Sequence, residues 1–171
     1  MIPDVPVRQA VLSVARALRW VRETEGSNKG EMVNQILASV HLPPGEPWCA
    51  AFVSFVGKAA LGDAWPLPMV GGCQTLAEDA AKRNMRSPLP APGSVFLLWS
   101  STKKRFHHTG FCVAPGPKGW KTIEGNTSED GSPEGTGVFE RDRMFGLEDR
   151  FIRWFDGPQT GVRWTDPAVD P

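Results

Sequence analysis

Apolar residues at helical spacing fill the first half of the chain, while short aromatic and β-branched runs separated by Gly, Pro and Asn fill the second. Together these predict an α+β fold with N-terminal helices packed on a C-terminal antiparallel sheet. A length of 171 residues, 40% of them hydrophobic and 22% charged, suits a single domain spanning 1–171 with its core over about 7–155.

The elements follow in order. Val7, Ala10, Val11, Val14, Ala15, Leu18 and Val21 recur at helical spacing, so a first helix runs from Val7 to Arg22 and ends near Gly26. Met32, Val33, Ile36, Leu37 and Val40 give a second helix over Gly30–Val40, stopped by Pro43-Pro44-Gly45. From Trp48 the chain is apolar almost all round until Gly62-Asp63, which suits a central helix buried beneath other elements. Leu76, Ala77, Ala80 and Ala81 mark a short fourth helix over Thr75–Asn84. Residues 94–99, 108–114, 120–124, 137–143 and 151–155 are the strands, expected to run as a meander. The tail after Asp156 has no usable period and is expected to lie along the surface or fray.

Charge and cysteine usage exclude several classes of function. Nineteen Lys+Arg against nineteen Asp+Glu leave no net charge, which removes the electrostatic attraction behind most nucleic-acid binding. The first residues lack the pattern of a signal peptide, and no apolar run approaches the roughly 20 residues that span a bilayer. A soluble chain made in the cytoplasm, without membrane insertion, is the expectation. Three cysteines form no disulfide framework and leave room for one thiol with a chemical role.

Cys49 stands where a Pro-terminated loop meets the start of the apolar helix. Free backbone N–H groups and the positive end of the helix dipole favour a thiolate there, although a buried structural cysteine would fit the same position. A nucleophilic thiol needs a base. His107 and His108 open one strand and fall on opposite faces of it, whereas His41 lies in a Pro-rich loop. The base in turn needs an orienting acceptor, and Glu124 and Asn126, two apart on the next strand, share a face. Cys73, beside Gly71-Gly72, and Cys112, in mid-strand, read as packing residues. Trp48, Trp99 and Trp120 would either line a groove or belong to the core.

Glu25, Asn28 and Pro47-Trp48-Cys49-Ala50-Ala51-Phe52-Val53 resemble the amino-terminal half of the CHAP and NlpC/P60-like cysteine peptidases of bacterial cell walls and phage lysins. Pro92-Gly93-Ser94-Val95, His108-Thr109-Gly110-Phe111 and Ile123-Glu124-Gly125-Asn126-Thr127 resemble the carboxy-terminal half. The similarity covers about residues 10–155, with its motifs in the family's order.

The resemblance implies a papain-like α+β domain that cleaves an amide bond of peptidoglycan, as an N-acetylmuramoyl-L-alanine amidase or a stem-peptide or cross-bridge endopeptidase. It makes Cys49 the nucleophile, His108 the general base, Glu124 the acidic orienting residue and Asn126 its polar companion; His107 becomes a neighbour of the site. NlpC/P60 members commonly place a Tyr before the nucleophile as an oxyanion donor, and this chain has none. That tilts the resemblance toward the CHAP arrangement and leaves the donor role to Asn28 or Trp48. The Asp-rich calcium loop of some CHAP domains is missing, so neither a metal nor another cofactor is expected. A monomer acting on the wall after release by a holin, a phage particle or a secretion apparatus is the expected setting. The alternatives are a cysteine amidase or transamidase on a non-wall amide, or a catalytically inactive binding or assembly module.

Overall fold

A computed structural model of the protein describes residues 4–129 and 135–156. The expected tail lies outside the described residues. The helices are α1 (Asp4–Ala17), α2 (Glu31–Ala38), α3 (Cys49–Leu61) and α4 (Cys73–Lys82), with a short 3-10 turn at Gly62–Ala64. The strands are β1 (Arg86–Ser87), β2 (Val95–Ser100), β3 (Arg105–Gly116), β4 (Gly119–Thr127), β5 (Gly137–Arg143) and β6 (Arg150–Ile152). Helices and strands are thus segregated along the chain, as in an α+β fold.

Helix α1 buries Val11, Leu12 and Ala15 against the core and packs on α3. It begins earlier than the apolar spacing predicts because Pro6 sits in the first turn, where its missing N–H is no loss. It also ends well before Arg22. The backbone there joins the sheet instead: the Val138 N–H donates to the Val21 carbonyl over 3.1 Å, and the Glu23 N–H to the Thr136 carbonyl over 2.8 Å.

Helices α2 and α4 stop in the same way. His41 and Asn84 take left-handed backbone angles, φ 61° and 53°. The Leu42 N–H reaches back to the Leu37 carbonyl and the Met85 N–H to that of Ala80, which satisfies carbonyls left over at each helix end. His41 is thereby a helix-terminating residue.

Helix α3 is the centre of the core, with every residue from Cys49 to Ser54 buried. It lies against β3 and β4 on one side and α1 on the other. Gly57 makes room for the Trp65 indole, which an added Cβ would meet at 2.1 Å. The Ser54 hydroxyl donates to the Val70 carbonyl over 2.9 Å and accepts from the Val70 N–H over 3.1 Å, tying the 66–72 loop to the helix.

The sheet is antiparallel throughout, in the order β1-β6-β2-β3-β4-β5. Strands β2 to β5 form the expected meander, but β6 returns to pair with β2 and with β1, a two-residue strand too short to show alternation in the sequence. After Ile152 the chain leaves the sheet. Trp154 turns into the core, its ring 5.0 Å from that of Trp65, and its indole N–H donates to the Gly93 carbonyl. The helix-facing side of the sheet carries Val95, Leu97, Phe111, Ile123 and Val138. Phe96, Cys112 and Phe151 form a smaller cluster with Phe145.

Two register breaks interrupt this alternation near the start of α3. Trp99 pairs with Phe106 and Leu98 with His108, so His107 is an extra residue bulging from β3. On β4 the pairing jumps between Glu124 and Thr127, and Asn126 has φ 53°. Bulges of this kind re-aim side chains and gather beside functional sites.

Candidate active site

The site is built on the first turn of α3. Trp48, the residue before the helix, offers no side-chain cap, so the leading N–H groups are left to other acceptors. The Ala50 backbone N–H is one of the groups that favour the ionised form of Cys49. Cys73 from the first turn of α4 and His108 from β3 act on Cys49, and behind His108 stand Glu124 from β4 and Arg143 from β5.

Glu124 is fully buried and serves as the acceptor of the cluster. Its Oε2 lies 2.7 Å from His108 Nε2 and 2.6 Å from Arg143 Nη2, while Oε1 takes the Thr122 hydroxyl at 2.6 Å and Arg143 Nε at 2.5 Å. Burial by itself would raise the Glu124 pKa. The Arg143 guanidinium and the His108 imidazole reverse that and bring it to about 2, so the carboxylate stays ionised.

His108 is 1% exposed. With Nε2 committed to Glu124, Nδ1 makes no hydrogen bond of normal geometry and is the ring nitrogen left to face the Cys49 thiol. Burial alone would lower the His108 pKa, yet its interactions with Cys49 and Glu124 lift it to about 9. Cys49 moves the opposite way, well below the ordinary thiol value. The largest cause is hydrogen bonding from the Cys73 thiol, which with the His108 imidazole and the Ala50 N–H outweighs the opposing effect of burial. Both shifts favour the thiolate–imidazolium form of the pair.

Cys73, which the sequence marks as a packing residue, is indeed buried in the core but also touches the site. Its Sγ lies 3.5 Å from that of Cys49, and this contact, together with burial, keeps it protonated. Cys112 does pack as expected, among Phe96 and Phe151, and burial pushes its thiol up to about 12. Arg143 was missed, although β5 alternation places Arg141 and Arg143 on one face. Nothing in the linear order marks Cys73 as a neighbour of Cys49.

A cavity of about 510 Å³ opens onto the site, lined among others by Asn28, Cys49, Cys73, Arg105, His107 and Asn126. His107 is half-buried, with Nδ1 3.0 Å from the Leu98 carbonyl, and burial lowers its pKa. Asn126 is 3% exposed and its Oδ1 has no hydrogen-bond partner. Asn28 closes a loop, its side-chain amide donating to the Gly45 carbonyl. Trp48 is fully buried and offers no face to the cavity; its indole N–H donates to Glu23 Oε1 over 3.0 Å. Glu23 also accepts the Asn28 N–H, so it, and not the exposed Glu25, anchors the approach to α3. Trp99 packs on Phe106 and Trp120 joins the smaller cluster, so neither tryptophan lines the cavity.

Among the described residues no group of three or more His, Cys, Asp or Glu converges as a metal-binding set, and no helix is long and apolar enough to cross a membrane. The chain matches no protein-family model, no curated protein and no solved structure.

Proposed function

We propose that this protein is a cysteine hydrolase of papain-like architecture that cleaves an amide bond of peptidoglycan. The observation that carries the chemistry is the buried Cys49–His108–Glu124 arrangement, in which a thiol at a helix start accompanies an imidazole held by a carboxylate, and the shifts of both groups favour the thiolate–imidazolium form. The choice of a wall amide rests on the ordered CHAP-like motifs, and the absence of net charge favours delivery to the wall by a partner over attraction to an anionic surface.

In this mechanism the Cys49 thiolate attacks the carbonyl carbon, and the N–H groups at the start of α3 stabilise the oxyanion. The His108 imidazolium gives its proton to the leaving amine and becomes neutral. Neutral His108 then takes a proton from water, which attacks the thioester and releases the acid and the Cys49 thiolate. Glu124 holds the imidazole throughout and balances its charge, while Arg143 and Thr122 fix Glu124.

The test is digestion of purified peptidoglycan of defined chemistry, with the released fragments weighed by mass spectrometry. New amino termini or freed stem peptides are expected from the native protein and none from Cys49→Ala. Equal release by Cys49→Ala overturns the reading. Cleavage confined to non-wall amides would assign the same machinery to another substrate. A Cys49 no more reactive toward iodoacetamide at neutral pH than Cys112 would mark an inactive module.

A further inference from the structure

Cys73 has no step in the hydrolysis above, yet it touches the nucleophile. The two sulfurs are in van der Waals contact at 3.5 Å, each belongs to the first residue of a helix, and both line the same cavity. A disulfide requires 2.03–2.05 Å, so closure calls for an approach of about 1.5 Å between side chains already facing each other. Cys112 offers no competing partner, since it is wholly buried in the cluster of Phe96 and Phe151.

We propose that Cys49 and Cys73 form a reversible dithiol–disulfide site, in which Cys73 is the resolving thiol for peroxide that reaches Cys49. This goes beyond the hydrolytic reading and holds whichever amide is the substrate.

The division of labour follows from the ionisation of each thiol. Cys49 is the ionised sulfur and attacks, while Cys73 keeps its proton. In the first step the Cys49 sulfur attacks one oxygen of hydrogen peroxide, an S–O bond forms and the O–O bond breaks. The departing hydroxide takes a proton and leaves as water, with Cys49 now a sulfenic acid. In the second step the Cys73 sulfur attacks the Cys49 sulfur, the S–O bond breaks and an S–S bond forms. The hydroxyl group departs as a second water with the Cys73 proton. Two thiols have lost two electrons and two protons, and one peroxide has become two waters. The disulfide removes the nucleophile and protects it from irreversible oxidation, and a dithiol reductant returns it.

The experiment treats the whole protein with equimolar hydrogen peroxide at neutral pH, then denatures it and counts free thiols beside intact-mass and peptide mapping. The three free thiols should fall to one, the mass should drop by two hydrogens, and the linked peptides should be those of Cys49 and Cys73. Dithiothreitol should restore all three thiols and any hydrolytic activity. In Cys73→Ser, Cys49 should instead gain oxygen, trapped by dimedone as the sulfenic acid or passing to the sulfinic acid that dithiothreitol does not reverse. Cys112→Ser should form the same cross-link as the native chain. Oxygen added to Cys49 of the native protein without a cross-link overturns the proposal, as does a cross-link through Cys112 or no reaction. None of these outcomes bears on whether the reduced protein cleaves amides, so the two readings fail separately.

Discussion

At Glu124 a carboxylate out of reach of water accepts hydrogen bonds from His108, Thr122 and Arg143. Such a group is tolerable only while its partners remain. Arg143→Met should leave a buried charge paired with His108 alone and destabilise the fold by about 3 kcal/mol, measured by urea unfolding. Glu124→Gln keeps the shape but removes the charge that helps to hold His108 at about 9. The His108 pKa should then fall, so the alkaline limb of the pH profile of kcat/KM moves to lower pH. The rate itself should drop on the order of 100-fold. An unmoved limb with a reduced rate would show that Glu124 only supports packing.

The elements hold these residues in place through close approaches that tolerate no extra atoms. Gly57→Ala would drive a methyl into the Trp65 ring, and overpacking of this kind costs roughly 1–3 kcal/mol. Thermal unfolding should show the loss, and Trp65→Leu in the same chain should recover part of it. Gly125 fills the same role between β4 and α3, where an added Cβ would meet Phe52 at 2.6 Å. Much of this layout was legible beforehand. Apolar spacing marked the four helices and the alternating runs marked five strands, because burial of one face imposes those periods. Pairing partners were not legible: nothing in residues 150–152 says that β6 lies beside β2, and nothing in Val21 or Glu23 says that a sheet edge captures their backbone. The place of Cys49 at a helix start was readable because a helix start is a local feature. Cys73 and Arg143 were not, since their importance comes from contacts across the fold.

For the molecule as a whole, the thiolate–imidazolium pair shapes stability against pH. In the unfolded chain at pH 7–8, Cys49 is a thiol with an ordinary value of 9.0 and His108 a neutral imidazole with an ordinary value of 6.5. The folded pair holds the same single proton, so between 6.5 and 9 it contributes no slope. Below 6.5 the unfolded histidine takes up a proton, while the lowered pKa of Cys49 makes the folded pair slower to take up a second one, and stability falls. Glu124 adds to the fall: its stabilisation is complete above 4.5 and disappears as the pH drops through about 2. Urea midpoints measured across this range should be level near neutrality and decline on acidification. In Cys49→Ala the histidine has lost its thiolate partner, so the onset of that decline should shift.

The site draws on five elements, and the order in which they occur along the chain has a consequence during synthesis. Cys49 emerges from the ribosome with α3, well before β3, β4 and β5 bring His108, Glu124 and Arg143. Until those strands pair, the thiol has no base beside it and keeps an ordinary affinity for its proton. A growing chain therefore lacks the assembled Cys49–His108–Glu124 arrangement, which comes into being only when the last strands have docked.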